Sequence, residues 1–293
     1  MISTPLSQAA FDDVPTAFEP DAELFTPLPP PQPGDWQAEH IEEEQTFEAF
    51  VKTAPPPPDK SKRVIYLQPV EHFVPEQSPP LDILQSFMHA YFTLPVQVLP
   101  MLIQEEETFT TRFHQHTGTQ QFLTSDILLA LKHYLPVDAS CVIAITMQDL
   151  YPDPDWNFVF GQSSVEDRVS VFSIVRHDPA FYGIPRDEGY RNVLLRRSST
   201  VLIREIGRLF GAGHCMAYAC SQNGSNHLQE NDSRPLHLCP DCLRKLHHHI
   251  GFDIMKRYRD LYHFYRQVDF QDEMSWIQQR FAKLVQGRLS SIE

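Results

Sequence analysis

Four of the chain's five cysteines stand in two close pairs, Cys215 with Cys220 and Cys239 with Cys242, spaced C-x4-C and C-x2-C. No other feature constrains the fold as much, because paired thiolates that converge on one metal pin two separate turns to a single point. Pro240 shapes the tight turn between Cys239 and Cys242. The opening residues, Met1 to Ser7, lack a basic stretch followed by an apolar core, so no secretory signal is expected. A reducing compartment follows from that reading, and there a closed tetrahedral zinc is favoured over two disulfides. Cys141 stands apart in an apolar run ending at Thr146 and reads as an inert core residue of a strand.

Directly before Cys215 comes a helical stretch. Leu202, Ile206, Leu209 and Phe210 fall at i, i+4, i+7 and i+8 and form one apolar stripe. Arg204 and Arg208 lie together on the face away from it, with Glu205 to one side. Gly211 and Gly213 are natural stop signals, and His214 is expected to fold back toward the arginines. Taken alone, this is an amphipathic helix with a solvated basic edge. Glu205 is expected to pair with Arg208 at i, i+3. Two arginines one turn apart repel, which calls for an acidic partner from the protein or from a ligand.

With the cysteines beside it, the stretch resembles the active-site helix of the metzincins, H-E-x-x-H-x-x-G-x-x-H. Glu205, Gly211 and His214 occupy their slots. Adding Cys215, Cys220, Cys239, Cys242 and the runs Ile145–Tyr151, Trp156–Gly161, Gly224–Leu228 and Arg234–Leu236, the chain resembles the archaemetzincin (archaelysin) family of zinc metallopeptidases, over roughly residues 60–265. The resemblance implies an α/β (α+β) zincin-like fold: a mixed sheet, an active-site helix and a C-terminal helical part built around a structural four-cysteine zinc, segment 215–242. It also implies a catalytic zinc on three histidines with a glutamate general base. An antiparallel edge strand would lie along the cleft, either Trp156–Phe160 or Val169–Val175.

Three positions depart from the family pattern. Arg204 and Arg208 stand in the two helix histidine slots, and Gln222 replaces the methionine of the turn beneath the metal. Zinc needs a lone pair, which guanidinium does not offer, and arginine does not deprotonate at usable pH. At about 4 Å and an effective dielectric near 20, each unit-charge contact is worth about 4 kcal/mol, and a divalent ion doubles that. The expectation is one structural zinc, no catalytic zinc, and Glu205 vestigial at the general-base position. The chain then reads as a pseudoprotease that binds a peptide or protein, with the arginine pair suited to a free carboxylate. Two alternatives stand beside it. One is an active zinc metallopeptidase with a metal site rebuilt on His214, with His227 or His237 as rescue ligand. The other is an adaptor acting through the N-terminal arm.

That arm, residues 1–60, holds 12 of the 25 prolines and 12 acidic residues against two lysines, so most of the net charge of −14 lies there. It reads as a largely disordered acidic segment in which Phe18, Leu24 with Phe25, and Phe47 with Phe50 dock locally. Residues 61–293 read as the zincin-like domain. Within it, strands are expected at Val64–Leu67, Val96–Leu99 and Cys141–Met147, and Thr108–Phe113 reads as a further strand or an edge loop. Helices are expected at Leu81–Phe92, at Ser125–Tyr134 with Ser125 or Asp126 as cap, at Leu243–His249, and at Asp253–Val268 and Gln271–Leu289. Residues 221–238 read as a polar loop. His247, His248 and His249 point in three directions and favour helix-terminus contacts over a shared metal. The acidic balance argues against nucleic acid as partner, and no apolar run is long enough for a membrane. The expected location is cytoplasmic or nuclear, not secreted.

Overall fold

The computed structural model describes residues 15–58, 61–103 and 109–290. The reading of Met1 to Ser7 and the Thr108 end of one expected strand fall outside these residues. In chain order the strands are β1 (Val64–Val70), β2 (Val96–Val98), β3 (Thr111–Phe113), β4 (Gln120–Leu123), β5 (Ala139–Thr146), β6 (Asp149–Tyr151), β7 (Gly161–Ser164) and β8 (Val169–Ser173). The helices are α1 (Trp36–Glu39), α2 (Phe47–Thr53), α3 (Leu81–Phe92), α4 (Thr124–His133), α5 (Tyr190–Leu209), α6 (Leu228–Ser233), α7 (Pro240–Ile250), α8 (Ile254–Gln267) and α9 (Gln271–Ser290).

The main sheet runs β2-β1-β5-β8-β7, parallel throughout except for β7, which pairs antiparallel with β8. Its inner strands are apolar at almost every position because both faces are covered. Ile65, Leu67, Cys141, Ile143 and Ile145 join one core with α3, α5, α7 and α8; Tyr66, Val142, Ala144, Val169 and Val171 join a second core with α4. The alternation follows from the two-residue period of a strand. Cys141 is fully buried and its thiol is pushed up to about 12 by that burial, so it is inert, as expected.

Several local expectations are corrected. Trp156–Phe160 is not a strand, and β8 lies inside the sheet; the edge is β7, the short polar segment between them. Neither Ser125 nor Asp126 caps α4: Leu123 holds that position with no side-chain cap, and Asp126 instead accepts a hydrogen bond from the Thr110 amide. Residues 221–238 contain α6, capped by His227. Of the small second sheet, β3-β4-β6, only β3 lies in an expected strand segment; β4 and β6 are additions. Its polar strands carry Gln121, whose amide donates to Asp149 at 2.8 Å.

Asp149 is the anchor of this region. It is fully buried and pairs bidentately with Arg176, both bonds 2.7 Å long. Arg176 in turn lies 3.7 Å over the Phe158 ring. The pair therefore sets the position of an aromatic wall described below.

The arm departs most from expectation. Residues 15–58 are not a loose tail but a belt across the C-terminal half. Leu24, Phe25 and Phe50 are buried, each worth about 1.5–3 kcal/mol in apolar transfer. Arg280 on α9 donates to the Ala17 carbonyl at 2.8 Å, and Trp276 to the Leu24 carbonyl at 3.1 Å. Phe47 packs edge-on to His248 and lies 3.9 Å under Arg244, while Phe18 meets His247. The histidine run thus serves as a docking surface as well as a helix end. Polyproline composition disfavours helix and sheet, but it does not prevent an extended chain from docking through spaced aromatic anchors. None of the helices among the described residues is long and apolar enough to cross a membrane.

Replacing Asp149 by asparagine leaves Arg176 buried without a counter-charge. The variant is expected to lose about 3–5 kcal/mol of stability, read as a lower midpoint in urea unfolding.

Candidate functional site

The four cysteines meet as the sequence predicts. Their sulfurs lie within 4.8 Å of one another, and Cys215 Sγ is 3.6 Å from Cys239 Sγ. A tetrahedral zinc with bonds of about 2.3 Å separates its sulfurs by about 3.8 Å, so the spacing suits that ion. All four are free of disulfides and buried. Backbone amides of Cys239 and Cys242 point at sulfurs, at 3.3 Å and 3.4 Å, the arrangement that stabilises thiolate. Left to themselves the sulfurs oppose one another's ionisation. Hydrogen bonds from Cys220, Cys239 and Cys242 hold Cys215 down; burial raises Cys220, and hydrogen bonds with the other three sulfurs raise Cys242. A divalent cation at the centre removes that conflict.

The second centre is built on α5 and the turn after it. Gly211 ends the helix with a left-handed φ of +87°, and a Cβ there would come within 2.7 Å of Ala54 in the arm. The turn brings His214 back over the helix, as expected. Arg208 Nη1 lies 3.1 Å from His214 Nε2, and Glu42 of the arm lies 2.8 Å from His214 Nδ1. Guanidinium can only donate, so Nε2 accepts and Nδ1–H donates to the carboxylate. Burial lowers the His214 pKa, with Arg208 adding to the effect and Glu42 opposing it. Glu42 itself is lowered, chiefly by its hydrogen bond to His214.

Arg204 is 4 % exposed and donates through Nη1 to Ser225 Oγ at 3.2 Å and the Asn223 carbonyl at 3.4 Å. Burial lowers its pKa. The expected Glu205–Arg208 pair does not form. Glu205 instead accepts from the hydroxyls of Ser163 on β7 at 2.6 Å and Ser170 on β8 at 3.2 Å. Strand hydroxyls reach it because Gly161 lets β7 approach: a Cβ there would sit 3.1 Å from the Glu205 carboxyl. Gln222 lies under the helix at Gly207, with Nε2 donating to the Ile203 carbonyl at 3.3 Å and Oε1 left without a partner.

The rescue ligands are placed elsewhere. His237 stacks on Trp276 with ring centroids 4.0 Å apart and is pushed down to about 3 by burial. His227 sits with Asp35 and Glu230, a grouping with metal-like spacing. Glu230, however, is taken up by the Trp36 and Asn226 amides and by Arg234, and His227 by Asp35 and its capping role. These contacts close α6 onto the arm.

Together these residues line a cleft of about 520 Å³, with β7, Trp156, Phe158 and Phe160 on one side and Arg204, Arg208 and His214 on the other. The arm completes it. Trp36 stands edge-on to His214 with centroids 4.8 Å apart and packs against Gly224. Gln45 accepts from the Gly213 amide and donates to the Gly211 carbonyl, both at 2.9 Å. The sequence held the signal for this in its spaced aromatics, but nothing local said which surface they would meet.

A zincin-like sheet with its edge strand along the cleft, an active-site helix and a four-cysteine cluster behind the turn define a metallopeptidase architecture. Residues 98–248 match the model of peptidase family M54. The chain is 38% identical to Archaemetzincin-2 of Macaca fascicularis, over 84% of this chain and 76% of that protein, and equally similar to the Homo sapiens protein of the same name. Among solved structures, archaemetzincin from Methanopyrus kandleri aligns with a TM-score of 0.50 at 25% identity, over 67% of this chain and 99% of the other. A zinc-dependent peptidase from Methanocorpusculum labreanum aligns with a TM-score of 0.50 at 24% identity, over 62% of this chain and 99% of the other. The chain belongs to the archaemetzincin family, peptidase family M54.

Because binding energy at such a cluster is folding energy, Cys239→Ser is expected to lose its metal and destabilise α7. The arm rests on α7, so limited proteolysis is expected to cut within residues 15–58 in the variant and to spare them in the parent chain.

Proposed function

We propose that this chain is a pseudoprotease of its family: it keeps a structural zinc on Cys215, Cys220, Cys239 and Cys242, holds no catalytic zinc, and binds an extended peptide or protein segment in the cleft without hydrolysing it. One observation carries the reading. The Arg208 guanidinium donates to His214 Nε2 at 3.1 Å, so the lone pair that would face a metal is engaged by a fixed cation. Arg204 and Arg208 offer no lone pair of their own, so these residues do not fit a catalytic metal. Without that ion no water is ionised near neutral pH, and Glu205, bonded to two serine hydroxyls, has no metal-bound water to deprotonate.

The binding half of the reading rests on β7. Its outer edge is unpaired among the described strands and faces the cleft. An extended segment can add to such an edge through backbone hydrogen bonds whether or not a metal is present. Trp156 and Phe158 supply apolar contact for alternate side chains.

Metal analysis tests the proposal. The purified chain is expected to carry one zinc, and two zincs would overturn the reading. Arg204→His combined with Arg208→His is expected to take up a second zinc, with weak chelator-sensitive peptide hydrolysis.

A further inference from the structure

Arg204 and Arg208 lie one turn apart on α5 and both line the cleft. Among the described residues no carboxylate stands within ion-pair distance of either guanidinium. The carboxylate nearest in sequence, Glu205, is turned to Ser163 and Ser170. Arg204 is bonded only through Nη1, to a hydroxyl and a carbonyl, at 3.2 Å and 3.4 Å. Its other nitrogens are not among the enclosed polar atoms left without partners, so they open on the cleft. A second buried arginine nearby, Arg234, pairs with Glu230 at 2.6 Å, whereas Arg257 and Arg280, away from the cleft, donate to backbone carbonyls. Arg204 has no such partner.

The arm carries a carboxylate to the margin of the same cluster. Glu42 bonds His214 and feels the charge of Arg208 without pairing with it. The cleft is therefore already arranged around one carboxylate and retains a deeper guanidinium with free donors. Its aromatic walls suit the body of a peptide.

We infer that Arg204 and Arg208 form a seat for a carboxylate of the bound peptide. The inference rests on the peptide-binding reading above and names the ligand's chemistry. Planar guanidinium matches planar carboxylate through paired hydrogen bonds. The carboxylate comes from a peptide's C-terminus or from an acidic side chain.

Calorimetric titration of the zinc-loaded full chain with three peptides separates these sources. The probes are acetyl-alanyl-alanyl-phenylalanine as the free acid, the same peptide as its amide, and acetyl-glutamyl-alanyl-phenylalanine amide. The free acid or the glutamyl amide is expected to bind at least about tenfold more tightly than the uncharged amide, and the tighter of the two identifies the source. Arg208→Gln and Arg204→Gln are expected to abolish the difference. Glu42→Gln, which removes the competing negative charge, is expected to tighten the charged probe several-fold and leave the uncharged amide unchanged. Equal affinity for all three probes overturns the carboxylate seat while peptide binding stands. Absence of binding by any of them overturns both readings. Should Arg204→Gln fail to fold, the Arg208 and Glu42 variants decide the matter alone.

Discussion

The turn from Gly211 to Cys215 is gripped from two directions, and the candidate site depends on that grip. On one side Cys215 belongs to the sulfur cluster. On the other, Gln45 bonds the Gly211 carbonyl and the Gly213 amide. Between the two holds, His214 has little choice of position. It is pressed against Arg208, backed by Trp36 and tied to Glu42. His214 is one link in a chain of donors and acceptors running from the arm to α5.

Placing arginines where histidines would stand changes the electrostatics of the whole cleft. A metal site gathers acceptors around a small cation; this site carries its cations on the protein. The neighbouring side chains satisfy these groups. Glu205 is satisfied by serine hydroxyls from β7 and β8, and Ser225 and Asn223 receive Arg204. The Gln222 amide lies directly beneath Gly207, in space that a side chain there would share. Even so, Gln222 Oε1 remains unpaired, a sign that the floor beneath the helix is imperfectly matched to a polar side chain.

Much of this could be read from the chain before any coordinates. The cysteine spacing gave the cluster, the apolar stripe of Leu202, Ile206, Leu209 and Phe210 gave α5, and the return of His214 over the arginine face followed from Gly211 and Gly213. The apolar run from Cys141 announced β5 as a strand covered on both faces, and Val64–Leu67 announced β1 as a strand. What escaped was tertiary. The cleft edge β7 is four polar residues long, too short and too hydrophilic for alternation to register. Glu205 left its helical neighbour for hydroxyls some forty positions earlier in the chain, because a carboxylate facing a packed strand takes the donors that packing supplies. The arm's anchors, Phe18, Leu24 with Phe25, and Phe47 with Phe50, were legible, but the acidic, proline-rich composition around them read as disorder, and nothing local said which surface would receive them.

The route by which the arm docks bears on how the protein is made. Lys245 meets the Gln45 carbonyl across 200 positions, and Arg280 meets Ala17 across 263. During synthesis the arm leaves the ribosome before the surfaces that receive it, α7 and α9. It must wait in solvent until those helices have been made. Proline-rich, strongly acidic sequence is what keeps such a waiting segment from premature strand pairing, and long-range closure of this kind is slow. The composition that suggested disorder thus fits a belt that has to stay unfastened until the last helix arrives.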